Sequence, residues 1–158
     1  MRENKTNAMR ILESWGVSYQ SHQYAAKGPV DGVTVAQHLG VPPERVYKTL
    51  VTKDNKNQCY VFVIPCAHEL DLKKAAHAVQ AKSLSMLAVK ELLGHTGYVR
   101  GGCSPIGMKK LYATVIDQSA ASLETFLVSA GKIGRQVEIN PAALAEKLPA
   151  AFADVCHR

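Results

Sequence analysis

Three short segments hold the residues best suited to chemistry. Tyr47-Lys48-Thr49-Leu50 sets a lysine where a loop enters an apolar strand. Side chains alternate along a strand, so Lys48 and Leu50 share one face and Thr49 takes the other. With Leu50 turned inward, Lys48 is drawn toward a concave, partly buried place. An ammonium there can bind a carbonyl, a carboxylate or a phosphate, or act as a nucleophile if its pKa falls. The plainer reading is an edge-strand lysine whose head reaches water. The second segment is Gly101-Gly102-Cys103-Ser104-Pro105-Ile106-Gly107. Closely spaced glycines let a backbone approach a ligand and aim N–H groups at a carbonyl oxygen or a developing oxyanion. Cys103 and Ser104 are its nucleophile candidates. The segment is not the Gly-x-Ser-x-Gly elbow, and it also reads simply as a turn. The third, Ser129-Ala130-Gly131-Lys132-Ile133-Gly134, is either a second backbone wall of a pocket or a hairpin turn.

The other reactive residue types are poorly spaced for catalysis. Cys59, Cys66, Cys103 and Cys156 form no Cys-x-x-Cys pair, so redox and zinc-ribbon readings fail on spacing. Cys59 falls in a predicted strand and reads as a small core residue. The six histidines form neither His-x-x-x-His nor His-Glu-x-x-His. Cys66-x-His68 offers two metal ligands, but four-ligand spacing is missing, so no metal is expected. Glu69 and Asp71 stand at a predicted helix start, where capping accounts for them better than acid–base work.

These segments need elements to position them. Ala8, Ile11, Leu12 and Trp15 follow helical spacing, stopped by Gly16. Residues 17–24 read as a strand, 27–29 as a loop and 34–39 as a short helix ended by Gly40. Pro42-Pro43 opens a turn that ends near Tyr47. Residues 48–53 and 58–65 read as a hairpin around Asp54-Asn55-Lys56-Asn57. Asp71 caps a predicted helix over 72–81. A further helix over 88–93 is expected to end at Gly94. Strands follow at 113–117, 125–129 and 135–139. Asn140-Pro141 then starts a last helix to Leu148. Helices and strands mix without strict alternation, which predicts an α+β fold with an antiparallel or mixed sheet. No strand leads into Gly-x-Gly-x-x-Gly, and no P-loop pattern is present.

Composition narrows the classes further. The chain has 158 residues, 47% of them hydrophobic, which is one ordinary domain with a real core. No apolar run approaches the ~20 residues that span a bilayer, so no membrane partner is expected. Met1 to Arg10 is polar and lacks an apolar signal segment, which points to the cytoplasm. Net charge is +6, so a polyanionic partner is plausible, although the basic residues form no run.

In order along the chain stand Val46-Tyr47-Lys48-Thr49-Leu50, Leu70-Asp71-Leu72-Lys73-Lys74, and Thr96-Gly97-Tyr98. Gly101 to Lys110, Ser129-x-Gly131-Lys132 and Ala151-Phe152-Ala153-Asp154 follow. Together these resemble the bacterial YbaK-type deacylases, the Cys-tRNA(Pro) editing proteins of the aminoacyl-tRNA editing domain superfamily. The resemblance spans nearly the whole length. It implies a single α+β domain over 1–158, with a curved mixed sheet, flanking helices and a prolyl-tRNA synthetase editing-domain-like architecture. It implies hydrolysis of the ester between a wrong amino acid and the tRNA 3′ end, with no cofactor. Lys48 matches the essential lysine of the substrate pocket. Tyr24, Thr49, Tyr98, Gly101, Gly102, Ser129 and Gln136 match substrate-binding positions.

In that family the thiol of the cysteinyl substrate attacks its own ester carbonyl and expels the tRNA as a thiolactone forms. No protein nucleophile is needed, so the resemblance makes Cys103 a lining residue. Prolyl-tRNA synthetase is the implied partner, beside the aminoacylated tRNA 3′ end. The family pattern reads Ser-Gly-Gly-Lys-Arg-Gly and then an acidic residue two positions on. Here Ala130, Ile133 and Gln136 depart from it, and Pro29-Val30-Asp31-Gly32 lacks an expected phenylalanine. Two other readings stay open: editing of alanine or serine by an activated water, and a non-catalytic module that holds a nucleotide or an aminoacyl end.

Overall fold

The structure is a computed structural model that describes residues 4–28 and 30–158. Pro29 and the first three residues of the polar N-terminus therefore lie outside the described residues. Among the described residues eight strands form two sheets, accompanied by five α-helices. In chain order the strands are β1 (Gln20–Gln23), β2 (Tyr47–Asp54), β3 (Cys59–Pro65), β4 (Leu84–Met86), β5 (Ala113–Asp117), β6 (Phe126–Ser129), β7 (Arg135–Ile139) and β8 (Ala151–Ala153). The helices are α1 (Asn7–Ser14), α2 (Gly32–Leu39), α3 (Leu72–Ala78), α4 (Val89–Thr96) and α5 (Pro141–Lys147).

The expected mixed sheet resolves into two. A smaller antiparallel sheet has the order β1-β7-β6, and a larger mixed one runs β4-β2-β3-β5-β8. A single parallel bridge between Val46 and Leu127 joins them. Hence β2 leaves the small sheet just before Lys48 and continues into the large one.

Local chemistry accounts for the helix starts. The side chains of Thr6, Asp31, Asp71 and Asn140 each accept a bond from a first-turn N–H of the following helix. The inward face of the small sheet presents Phe126, Val128, Val137 and Ile139. These pack with Met9 and Leu12 of α1 and Leu144 of α5. Phe62 and Ile64 of β3 bury against Ala75 and Ala76 of α3. Val51, Val61 and Cys59 meet Leu87 and Cys103. Val35 and Ala36 of α2 cover Val46, Cys66 and Leu127 on the outer face of the small sheet.

Several boundaries differ from the sequence expectation: β1 begins at Gln20 rather than Val17, α2 begins at Gly32, and α4 and α3 end elsewhere than expected. Helix α4 passes through Gly94 and ends at Gly97, which takes φ +85. Thr96 is buried there and its hydroxyl donates to the Leu92 carbonyl, so the last turn is fixed by tertiary packing. Helix α3 stops at Ala78 rather than Ala81, because Gln80 adopts φ +59 and turns the chain toward β4.

Candidate functional site

The Val46–Leu127 bridge is the geometric origin of the site. Lys48 lies two residues beyond Val46, and Ser129 two beyond Leu127. A parallel register brings both to the same level, where the sheets part. Across the small sheet Ser129 pairs with Gln136, and Gln136 pairs with His22. Paired residues share a face, so His22, Gln136 and Ser129 form a row on the outer face that ends beside Lys48. Leu127 on that face packs under α2. Tyr24 follows β1 into this region. Its N–H donates to the Gly134 carbonyl at 3.0 Å, and its ring stacks on His38 at 6.1 Å between centroids.

Alternation sends Thr49 to the other face of β2, with Tyr47 and Val51. That is the side on which Cys103 and Ile106 pack. Thr49 therefore faces the Gly101–Gly107 segment rather than the Gln136 row. The segment is tied to the β6–β7 turn at two points. A Cβ on Gly102 would lie 3.1 Å from the Ile133 nitrogen, so a side chain there would push the two backbones apart by a few tenths of an ångström. The Tyr98 ring covers Gly131, and its hydroxyl donates to the Ile106 carbonyl. Residues 129–134 are thus both a hairpin turn and a wall against the glycine-rich segment.

The polar inventory is unusual. Lys48 is half-buried, with neither a hydrogen bond nor an ion pair among the described residues. Its charge is felt at the Cys66 thiol, which burial pushes up and Lys48 pulls down. Thr49 Oγ1 and Gln136 Oε1 are buried without a hydrogen-bond partner. Buried polar atoms are normally paired, because leaving one unmade costs ~1–3 kcal/mol. Ser129 differs, since its Oγ accepts from the Gly131 N–H at 3.1 Å. The Gly102 N–H is likewise engaged, donating to the Val99 carbonyl at 3.0 Å.

Protein nucleophiles are poorly placed here. Burial pushes the Cys103 thiol up to about 12. The Ser104 hydroxyl is buried and accepts from the Ile106 N–H. A Cys–His contact does exist, between Cys59 Sγ and His95 Nδ1 at 3.7 Å. Cys59 lies five residues along β3 from Ile64, the partner of Lys48, or about 17 Å away. Burial also raises its thiol.

Sequence reasoning missed an ionic cluster on the same outer face. Glu138 Oε1 lies 2.9 Å from His22 Nε2, while Oε2 accepts from Arg45 Nη2 and the Thr125 hydroxyl at 2.7 Å each. The Thr125 bond, then those of His22 and Arg45, hold the Glu138 carboxyl below its ordinary range despite partial burial. The only sequence signal was the two-residue step from Gln136 to Glu138. Cavities among the described residues lie elsewhere. One of 180 Å³ sits between α1 and residues 105–114, and a polar one of 480 Å³ sits at the β2–β3 turn.

The sequence model of the aminoacyl-tRNA editing domain matches residues 30–147, a span that contains both walls and the Lys48 strand. The chain belongs to this family. It is 44% identical to EbsC of Enterococcus faecalis, a candidate Cys-tRNA(Pro)/Cys-tRNA(Cys) deacylase, over 97% of this chain and 94% of that one. It is also 26% identical to a proline–tRNA ligase of Trichlorobacter lovleyi over 62% of its length, and spans 17% of that enzyme. A solved structure of a candidate trans-editing enzyme for prolyl-tRNA synthetase superimposes with a TM-score of 0.85. That match covers 99% of this chain and 100% of the other at 22% identity, which establishes the shared editing-domain fold. No described helix is long and apolar enough to cross a membrane.

Proposed function

We propose that this protein deacylates mischarged Cys-tRNA(Pro), and Cys-tRNA(Cys) as well, by letting the substrate thiol cleave its own ester. The observation that carries this reading is the unpartnered Lys48 side chain at the parting of the sheets, with the unpartnered buried atom Gln136 Oε1 on its own face and Thr49 Oγ1 turned toward the glycine-rich wall. This is a set of orienting groups without an activated protein nucleophile. Such a site suits a reaction whose nucleophile arrives with the substrate. The candidate activity of EbsC supports the choice of cysteinyl esters.

In this reaction the cysteinyl sulfur bonds to the ester carbonyl carbon. The bond from that carbon to the tRNA 3′ oxygen breaks, and the thiol proton ends on the departing oxygen. Thiolactone and free tRNA result. The protein contributes position, since a held near-attack geometry lowers an intramolecular barrier substantially. Lys48 orients the ester and offsets the charge that develops on its oxygen. Gln136 supplies an acceptor on the Lys48 face, and Thr49 a hydroxyl on the side of the glycine-rich wall. Tyr24, Ser129, Gly101 and Gly102 shape the walls, and Tyr98 holds the two walls together.

Prolyl-tRNA synthetase is the proposed partner for choosing the tRNA, in the cytoplasm. Support comes from the proline–tRNA ligases that carry a related segment within their own chains. The test is incubation with Cys-tRNA(Pro), Cys-tRNA(Cys) and correctly charged Pro-tRNA(Pro). Loss of both cysteinyl esters with survival of the prolyl ester is expected. Survival of Cys-tRNA(Pro) removes the proposal.

A further inference from the structure

The two walls carry a charge asymmetry that the ester chemistry does not use. Residues 96–112 and 129–135 contain Arg100, Lys109, Lys110, Lys132 and Arg135, and no Asp or Glu. They come from segments far apart in sequence but are brought together in space. The Gly102 Cβ position is 3.4 Å from the Lys132 Cα, and the Gly97 Cβ position is 3.4 Å from the Lys109 Cγ. Arg100 lies between those two contacts in the chain.

Arg100, Lys109, Lys110 and Lys132 are all exposed. The side chains of Arg100, Lys110 and Lys132 have no hydrogen bond or ion pair among the described residues, and the Lys109 ammonium makes only a 3.5 Å bond to the Gly94 carbonyl. Elsewhere among the described residues Lys5, Arg45, Lys53, Lys74 and Arg158 are each held by carboxylates. The opposite rim of the site, at α2 and the turn before β2, exposes Asp31 and Glu44 against Lys27 and is close to neutral.

We propose that Arg100, Lys109, Lys110 and Lys132 form a phosphate-binding rim along which the 3′ strand of tRNA enters. The acceptor end crosses the glycine-rich wall and the β6–β7 turn, and does not approach over α2. This rests on the deacylase reading for its ligand, but its test does not require catalysis. A row of unpaired cations facing solvent is the footprint that phosphates seek. Such contacts give affinity that falls with salt, with a slope that counts them.

Binding of uncharged tRNA(Pro) is measured by fluorescence anisotropy across about 50 to 200 mM salt. Hydrolysis of cysteinyl-adenosine, an ester without phosphates, is followed in parallel. For Arg100→Glu with Lys132→Glu we expect affinity to fall about tenfold or more at low salt. The log–log salt slope should lose about two units, one per contact. The milder Arg100→Gln with Lys132→Gln should lie between this variant and the native protein. Cysteinyl-adenosine turnover should be unchanged, which also shows that the variants fold. Lys56→Glu, on the distant β2–β3 turn, should bind as the native protein does.

Native-like tRNA affinity in the double variants overturns the rim. So does a loss of log affinity in Lys56→Glu about half that of the double Glu variant, in proportion to its charge change, which would make net charge alone responsible, or a parallel loss of cysteinyl-adenosine turnover. A protein that binds tRNA through the rim yet cleaves no cysteinyl ester upholds this inference and refutes the deacylase reading.

Discussion

The ring of Tyr98 lies over Gly131, so close that a Cβ there would come within 2.9 Å of Tyr98 Cε1. One ring thus braces the glycine-rich wall against the β6–β7 turn, while its hydroxyl holds the Ile106 carbonyl. Gly131 also has φ +97, which L side chains rarely adopt. Gly131→Ala should therefore lose about 2 kcal/mol of stability through strain and clash together, read as a lower urea midpoint. Tyr98→Phe keeps the ring and should lose only the hydrogen bond, about 1 kcal/mol. Equal losses from the two would show that the close approach does not brace the walls.

Lys48→Ala separates a functional lysine from a structural one. Because Lys48 has no partner among the described residues, its removal should change stability by less than about 0.5 kcal/mol, measured by denaturant melts. Hydrolysis of Cys-tRNA(Pro) should be abolished. Cys103→Ser should stay active, since a thiol pushed up to about 12 supplies almost no thiolate at neutral pH. A folded, inactive Cys103→Ser would restore covalent catalysis to the account.

Thr49 offers a trade between stability and activity. Its buried hydroxyl oxygen has no partner, a cost that the similarly shaped valine removes. Thr49→Val should stabilise the protein by about 1 kcal/mol while lowering kcat/KM for the cysteinyl ester. A variant that is destabilised and fully active would mean that Thr49 serves the fold alone.

Acid should loosen the end of the chain first. The Asp117 side chain is fully buried, and Arg158 Nη2 lies 2.9 and 2.8 Å from its two oxygens. Burial alone would raise this carboxyl. Bonds from Ser119, Arg158 and the Val155 N–H outweigh it and hold it below the ordinary range. A carboxyl lowered in the folded state contributes stability that is fully present above its unfolded value. That contribution is lost as pH falls through the folded value. Asp117→Asn should cost about 3 kcal/mol at neutral pH and flatten the decline of Tm on the acid side. An unchanged acid profile would rule Asp117 out as its source.

How much of this was legible in the sequence follows from the range of each signal. Local signals worked well. Caps at Asp71 and Asn140, the Asp54–Asn57 turn and the alternation around Lys48 all act within a few residues. The three-residue strands β4 and β8 were not read, because each exists only by pairing with a distant strand, β2 and β5. The end of α4 was misplaced, because Gly94 is tolerated where packing of Thr96 outweighs a helix-propensity cost of about 1 kcal/mol.

At the candidate site, residue types and order were legible, but the face of each residue relative to the others was not. The split between Lys48 and Thr49 follows from alternation alone. The row of His22, Gln136 and Ser129 requires the register of three strands. The approach of Gly102 to Lys132, thirty residues on, left no sequence pattern, and neither did the unpartnered state of Gln136 Oε1.

The central claim is that the nucleophile belongs to the substrate. It is tested most directly by following ester loss from Cys-tRNA(Pro), S-methylated Cys-tRNA(Pro) and Ala-tRNA(Pro) with the purified protein. Rapid loss of the free-thiol ester, with the methylated and alanyl esters intact, is the predicted result. Comparable loss of either thiol-free ester would make water the nucleophile and contradict the claim.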